Sequence, residues 1–195
     1  VFMAAYNAAK YITEAIQSVL DQTFEDFELL IVNDGSTDET VEMISKFHDP
    51  RIRLLHNDRN RGLVYTRNVL LHEARGEYVA ILDSDDIAMP NRLALQYEHF
   101  QKNPELALCG GHGKVINHLG EPIETPRLTV PLGSENIKIT LLFWNTFVNS
   151  TVMYKKEVLL ELGGYREFAP AEDYELFTRI ADKYVVDNID AVLVR

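Results

Sequence analysis

A single cysteine among 195 residues, Cys109, excludes an intrachain disulfide and a thiolate zinc cage. It suits a reducing compartment. No apolar run approaches the roughly 18 residues that a membrane span needs, and no signal peptide is recognisable. Cations are scarce: 19 Lys and Arg face 30 Asp and Glu, for a net charge of −11. So acidic a chain repels a phosphate backbone, which argues against nucleic acid as a partner and makes any phosphate site dependent on a metal. There is no Gly-x-Gly-x-x-Gly after a strand, no P-loop string and no Gly-x-Ser-x-Gly, so dinucleotide oxidoreductases, P-loop NTPases and α/β-hydrolases are disfavoured. The six histidines, at positions 48, 56, 72, 99, 112 and 118, lack metal-ligand spacing and are expected on the surface or in packing. Seven prolines and ten glycines are too few for a collagen-like or low-complexity chain.

What is present is an ordinary globular composition, 46% hydrophobic and 25% charged, at a length that fits one domain. The first hundred residues alternate short apolar runs with amphipathic stretches. Strands are expected at 1–5, 27–32, 52–55 and 78–82, and helices at 8–20, 38–47, 63–74 and 90–102. Ser36 and Glu39 have capping-box spacing for the second helix, and Pro90 opens the fourth. Four successive βα units imply an α/β fold with a doubly wound, mainly parallel sheet.

Beyond residue 103 the pattern changes. Strands are expected at 107–111 and 114–117, a loop over 121–133, a helix at 134–143, a strand at 150–154 and helices at 156–162 and 173–184. Together these form a small antiparallel excursion. The run Gly110-Gly111-His112-Gly113 reads as a turn. Apolar runs at both ends (1–5 and 191–194) read as part of a longer protein, whose other segments are expected to provide any membrane attachment.

Ligands of an open parallel sheet bind beyond the carboxyl ends of its strands. There the chain is polar: Tyr6 and Asn7, 33–38, 57–62 and 83–86. Asp83-Ser84-Asp85-Asp86 puts three carboxylates in four residues after an apolar strand. An isolated triplet of this kind is ordinarily a solvated acidic turn. Its place at a strand terminus, with Asp34 ending another strand, favours a hard divalent cation such as Mg²⁺ or Mn²⁺ bridging a diphosphate.

Asn33-Asp34-Gly35-Ser36-Thr37-Asp38 is either an Asx turn with an N-cap or a site where Asp34 accepts a ligand N–H. Arg51, Arg53, Arg59, Arg61 and Arg67 either pair with surface acids or face a diphosphate, with Arg67 the best placed. Glu172 and Asp173 start a helix, where the dipole favours acids in any case. A carboxylate there is also a candidate general base.

In this order the pieces resemble the family 2 glycosyltransferases, inverting sugar-nucleotide enzymes of the GT-A, Rossmann-like fold. The resemblance rests on Val1-Phe2-Met3-Ala4-Ala5-Tyr6-Asn7, Leu30-Ile31-Val32-Asn33-Asp34-Gly35-Ser36, Asn60-Arg61-Gly62 and Thr66-Arg67-Asn68. It continues through Gly76-Glu77-Tyr78, Leu82-Asp83-Ser84-Asp85-Asp86, Gly163-Gly164-Tyr165 and Glu172-Asp173. It implies a single catalytic domain over 1–195, with a nucleotide-sugar half (1–103) and an acceptor-side half (104–195). It implies a donor site of Ala5, Tyr6, Asn7, Asp34, Gly62, Arg67, Asp83 and Ser84, with Asp34 accepting from the base. Asp85 and Asp83 then hold Mn²⁺ or Mg²⁺, and Asp173 is the base, with Glu172 as the fallback.

The implied partners are a nucleotide-diphosphate sugar, with a lean to uridine, and a glycan or lipid-linked acceptor. The implied location is the cytoplasm, at the inner face of the membrane. The chain departs from the family at Ala4, usually Pro, and at Asn33, often Asp, which leaves donor preference open. Two other classes compete: a sugar-nucleotide-binding module without catalysis, and a haloacid-dehalogenase-type phosphohydrolase with a nucleophilic Asp in its D-x-D. The latter leaves the Asp34 string unexplained.

Overall fold

The computed structural model describes residues 1–117, 120–123, 130–168 and 170–195. Strands β1 (Phe2–Ala5), β2 (Leu29–Asn33) and β3 (Ile52–His56) pair in parallel in the order β1-β2-β3. Every residue of β2 is buried. Leu30 and Val32 face Leu70 and Leu71 of helix α3 (Leu63–Glu73), while Leu29 and Ile31 face Ile12 and Ile16 of α1 (Ile12–Leu20) and Ile44 of α2 (Thr40–Ser45). An unbroken apolar run is what a strand covered on both faces requires.

A parallel bridge from Phe2 to Ile81, with the Leu82 N–H on the Phe2 carbonyl at 3.0 Å, carries this sheet into β4 (Tyr78–Ala80). The strand expected to run to residue 82 ends early because Ile81 and Leu82 turn toward β1. Beyond β4 the order is β4-β6-β5-β7, with β5 at Leu106–Gly113, β6 at Met153–Lys155 and β7 at Val185–Val194. Strand β6 is antiparallel to both neighbours, while β5 and β7 are parallel. The antiparallel excursion is therefore a strand inserted between β4 and β5. The chain reverses just before it through a 3₁₀ turn, Asn149–Thr151.

Several local expectations are corrected. Helix α1 starts at Ile12 because Asn7 adopts a left-handed backbone (φ 50°) and the N–H groups of Ala8 and Ala9 go to Thr40 Oγ1 and Asp38 Oδ2. The capping box of α2 does not form: Ser36 Oγ accepts the Asn7 N–H instead. Helix α4 (Arg92–Lys102) begins two residues after Pro90.

The glycine run expected as a turn lies inside β5. A Cβ on Gly110 would sit 2.4 Å from Asn188 Oδ1, and one on Gly111 2.6 Å from Leu193 Cδ1, so these glycines let β7 lie close. Strand β7 starts well before residue 191, and polar positions within it find partners. Asp187 pairs with His99 at 3.1 Å, and the Asn188 amide donates to the carbonyls of Pro131 and Thr146. No strand forms at 114–117, where Ile116 makes one isolated bridge to Pro122. His118 and residues 124–129 of the loop expected at 121–133 lie outside the described residues. Helices α5 (Ser134–Leu141), α6 (Lys156–Glu161) and α7 (Glu172–Lys183) complete the chain, and α7 packs Leu176, Phe177 and Ile180 into the core shared with α3.

Candidate functional site

The carboxyl ends of β1, β2 and β4 gather the acids. Asp34 follows β2 and is buried. Its Oδ1 accepts the Asn57 amide at 2.7 Å and the Arg61 N–H at 2.8 Å, and its Oδ2 accepts the Gly62 N–H at 2.9 Å. The carboxylate thus shapes the loop between β3 and α3. Of about four acceptor positions, one remains for a ligand donor. Gly35 (φ 71°) is required beside it, since a Cβ there would lie 2.5 Å from the Arg59 carbonyl carbon. Ala5 accepts the Asp34 N–H at 2.8 Å, Asn7 Oδ1 accepts the Thr37 N–H at 2.9 Å, and Tyr6 is exposed on the rim.

Asp83 ends the β4 segment. Its Oδ2 accepts the Asn149 amide and the Ser150 hydroxyl, each at 3.0 Å, and Ser150 Oγ accepts the Asp83 N–H at 3.1 Å. Ser84 lies on the turn that follows. Asp85, exposed on the same turn, has no hydrogen-bond or ion-pair partner among the described residues. Burial, together with the charges of Asp83 and Asp85, pushes the Asp86 carboxyl up to about 6, against the pull of Ser150 and Arg92.

Crowded acids with one unpartnered carboxylate fit a hard divalent cation. Among the described residues no three His, Cys, Asp or Glu form a metal cage. A cation held by Asp85 and Asp83 would therefore complete its coordination with substrate phosphates and water, as Mg²⁺ commonly does. A cavity of about 480 Å³ opens beside Asp85 and Asp86, lined also by Lys10, Tyr11 and Lys114. A larger one, about 580 Å³, is lined by Phe27, Glu28, Arg53 and Tyr78 at the amino ends of the strands, away from the acids.

Arg67 lies beneath this region with its side chain 4% exposed. Its Nη1 is 3.0 Å from Glu172, its Nη2 3.5 Å from Asp83, and its guanidinium lies over the Tyr165 ring at 5.3 Å. Glu172 is committed to that pair. Asp173, half-buried, accepts the Asn145 amide on Oδ2 at 3.3 Å and the Tyr174 N–H on Oδ1 at 2.7 Å. The other arginines are placed differently. Arg51 pairs with Asp49 and Arg53 with Glu28, far from the acids, while Arg61 lies over Tyr65.

Sequence reading did not single out Asn149, Ser150, Asn145 or Arg92. Arg92 is fully buried and its Nη2 donates to the carbonyls of Ile81 and Val152, at 2.7 and 3.2 Å, fixing the backbone that leads to Asp83. Desolvation lowers its guanidinium to about 10. Its only signal was a cation on the inward face of an amphipathic helix. Asn149 and Ser150 gave none, since they reach Asp83 only because β6 is inserted beside β4.

A family model described as glycosyl transferase family 2 matches residues 1–163. An uncharacterised glycosyltransferase of Haemophilus influenzae is 32% identical over 206 residues, covering 100% of this chain and 64% of that protein. The Escherichia coli protein WfgD, a UDP-Glc:alpha-D-GlcNAc-diphosphoundecaprenol beta-1,3-glucosyltransferase, is 39% identical over 118 residues, 60% of this chain and 46% of WfgD. S. aureus TarS 1–349 in complex with UDP superposes with a TM-score of 0.78 at 28% identity, over 99% of this chain and 58% of that one. The chain thus spans somewhat under two thirds of the Haemophilus relative and of TarS 1–349. The strand order, the acids at the strand ends and these likenesses converge: the chain belongs to glycosyl transferase family 2, a family of transferase enzymes with the GT-A fold.

Proposed function

We propose that this chain transfers a sugar from a nucleotide-diphosphate sugar, preferably a UDP-sugar, to a hydroxyl of a glycan or lipid-linked acceptor, with inversion and with Mn²⁺ or Mg²⁺. The observation that carries the reading is the Arg67 bridge, which links Glu172 at the start of α7 to Asp83 at the end of β4, and so brings the helix that carries Asp173 to the acids at the strand ends. The UDP complex of TarS and the UDP-glucose named for WfgD support the donor class. WfgD's diphosphoundecaprenol acceptor supports a lipid-linked one.

In this reading residues 1–103 hold the donor and 104–195 face the acceptor. Ala5, Tyr6, Asn7 and the free acceptor position of Asp34 meet the base, and Gly62 and Ser84 line the same donor site. Asp83 stands at the ribose side. Asp85 and Asp83 would hold a divalent cation, which would supply charge neutralisation for the leaving diphosphate. Asp173 takes the proton of the acceptor hydroxyl, whose oxygen attacks the anomeric carbon as the bond to the diphosphate breaks. One displacement inverts the centre, and no covalent nucleophile is needed. Among the described residues no helix is long and apolar enough to cross a membrane, and a cytoplasmic site peripheral to the inner face is part of the proposal.

Calorimetric titration of UDP, dTDP, GDP and CDP, with Mn²⁺ and again with EDTA, tests the donor site. Asp173→Asn is expected to keep UDP binding and abolish transfer, and the anomeric configuration of the product reads inversion directly. Absence of binding by all four nucleotides in a folded sample would sink the donor reading.

A further inference from the structure

We infer that Arg67 and Glu172 form an internal clamp that fixes the first turn of α7 against the end of β4. Both are positioning residues, neither a donor ligand nor the base. The inference rests on the reading of Asp173 as the base.

Arg67 belongs to α3 and Glu172 opens α7, 105 residues later, yet they meet at 3.0 Å with side chains only 4% and 14% exposed. The second arm of the guanidinium reaches Asp83, at 3.5 Å. Both Nη nitrogens therefore face protein carboxylates, and the flat face lies on buried Tyr165.

The bend before α7 is latched to the same helix. Asn68 donates to the Tyr165 carbonyl and accepts the Tyr165 N–H, both at 2.9 Å, and Gly164 (φ 70°) leaves room for this, since its Cβ would fall 2.4 Å from Asn68 Oδ1. From within α7, Arg179 donates to the carbonyls of Leu162 and Gly164, each at 2.8 Å. Successive residues on a helix point about 100° apart. With Glu172 turned inward to Arg67, Asp173 is directed elsewhere, toward Asn145. A buried pair of this kind specifies geometry more than it adds stability, and loss of one partner strands the other charge.

The test uses Glu172→Gln, Glu172→Ala, Arg67→Met and Arg67→Lys, with Asp173→Asn as reference. Readouts are UDP affinity in Mn²⁺, UDP release from UDP-glucose and UDP-GlcNAc, and hydrogen exchange over α7. Glu172→Gln keeps an acceptor for Arg67 and is expected to lose about tenfold in kcat, whereas Glu172→Ala and Arg67→Met lose about 100-fold, as small misplacements of a reacting group do. UDP affinity should stay within about threefold in all of them, and only Glu172→Ala and Arg67→Met should speed exchange in the first turn of α7. Arg67→Lys, which keeps the charge but loses the fork, should fall between; it serves if Arg67→Met does not fold.

Glu172→Gln as inactive as Asp173→Asn would make Glu172 the base and overturn the clamp. Weakened UDP binding with unchanged kcat in Arg67→Met would make Arg67 a donor ligand and overturn it as well. An active Asp173→Asn removes the base reading alone. The clamp is then decided by the exchange data, and unchanged exchange in Arg67→Met and Glu172→Ala rejects it.

Discussion

Asp34 accepts the Gly62 N–H at 2.9 Å, and through that contact the end of β2 dictates the shape of the loop that opens α3. Asn at this position would turn an NH₂ group against neighbouring N–H donors. Asp34→Asn is expected to cost about 2–3 kcal/mol in stability and to weaken UDP binding about tenfold or more. Urea denaturation and calorimetry measure the two, and an unchanged UDP affinity would contradict a donor-site role.

Asp85→Asn removes an unpartnered carboxylate from a crowded acidic turn. Folding stability should stay equal or rise slightly, while metal-dependent UDP affinity falls about tenfold or more, because a hard cation loses a charged oxygen ligand. Affinity unaltered at saturating Mn²⁺ rejects Asp85 as a ligand.

Asp86 gives a pH dependence of definite sign. Its carboxyl is raised from 3.8 to about 6, chiefly by burial, so the folded chain holds this proton more tightly than the unfolded one. The group's contribution is fully present below about pH 4 and is lost as pH rises through 6, at a cost of about 3 kcal/mol. Metal-free Asp86→Asn should therefore melt above the unsubstituted protein at pH 7.5, with the gap closing near pH 4. A gap independent of pH would show that Asp86 ionises normally.

Gly35→Ala tests the approach of the β2 and β3 loops. With φ at 71° and backbone atoms of Arg59 and Asn60 within 2.7 Å of the added carbon, the loop must move. About 2–4 kcal/mol of stability should be lost, together with UDP binding, while far-UV circular dichroism stays close to native. Unchanged melting would mean that the loop accommodates a methyl group.

The apolar run of β2, covered on both faces, was open to reading because it is short and unbroken, while the helices on either side repeat their apolar positions every 3.6 residues. The acids at 34, 83 and 85 were equally legible, since a parallel βα run points every strand end the same way. Cap and boundary details were not. Ser36 has the chemistry to cap α2, but a hydroxyl bonds whichever N–H stands nearest, and here that is Asn7's; Asp38 divides its carboxylate between the Thr40 N–H that opens α2 and the Ala9 N–H. The glycines at 110 and 111 look the same in a turn and in a strand pressed by Leu193.

What the sequence by itself determined is the βα frame, the family and the list of acids, because these follow from local periodicity and from residues adjacent in the chain. The tertiary structure alone decided that β6 enters antiparallel between β4 and β5, bringing Asn149 and Ser150 to Asp83. It also separated Glu172 from Asp173. Neighbours in sequence share composition and helix position; only the buried guanidinium of Arg67, held from 105 residues away, draws Glu172 to the end of β4, while Asp173 bonds the Asn145 amide.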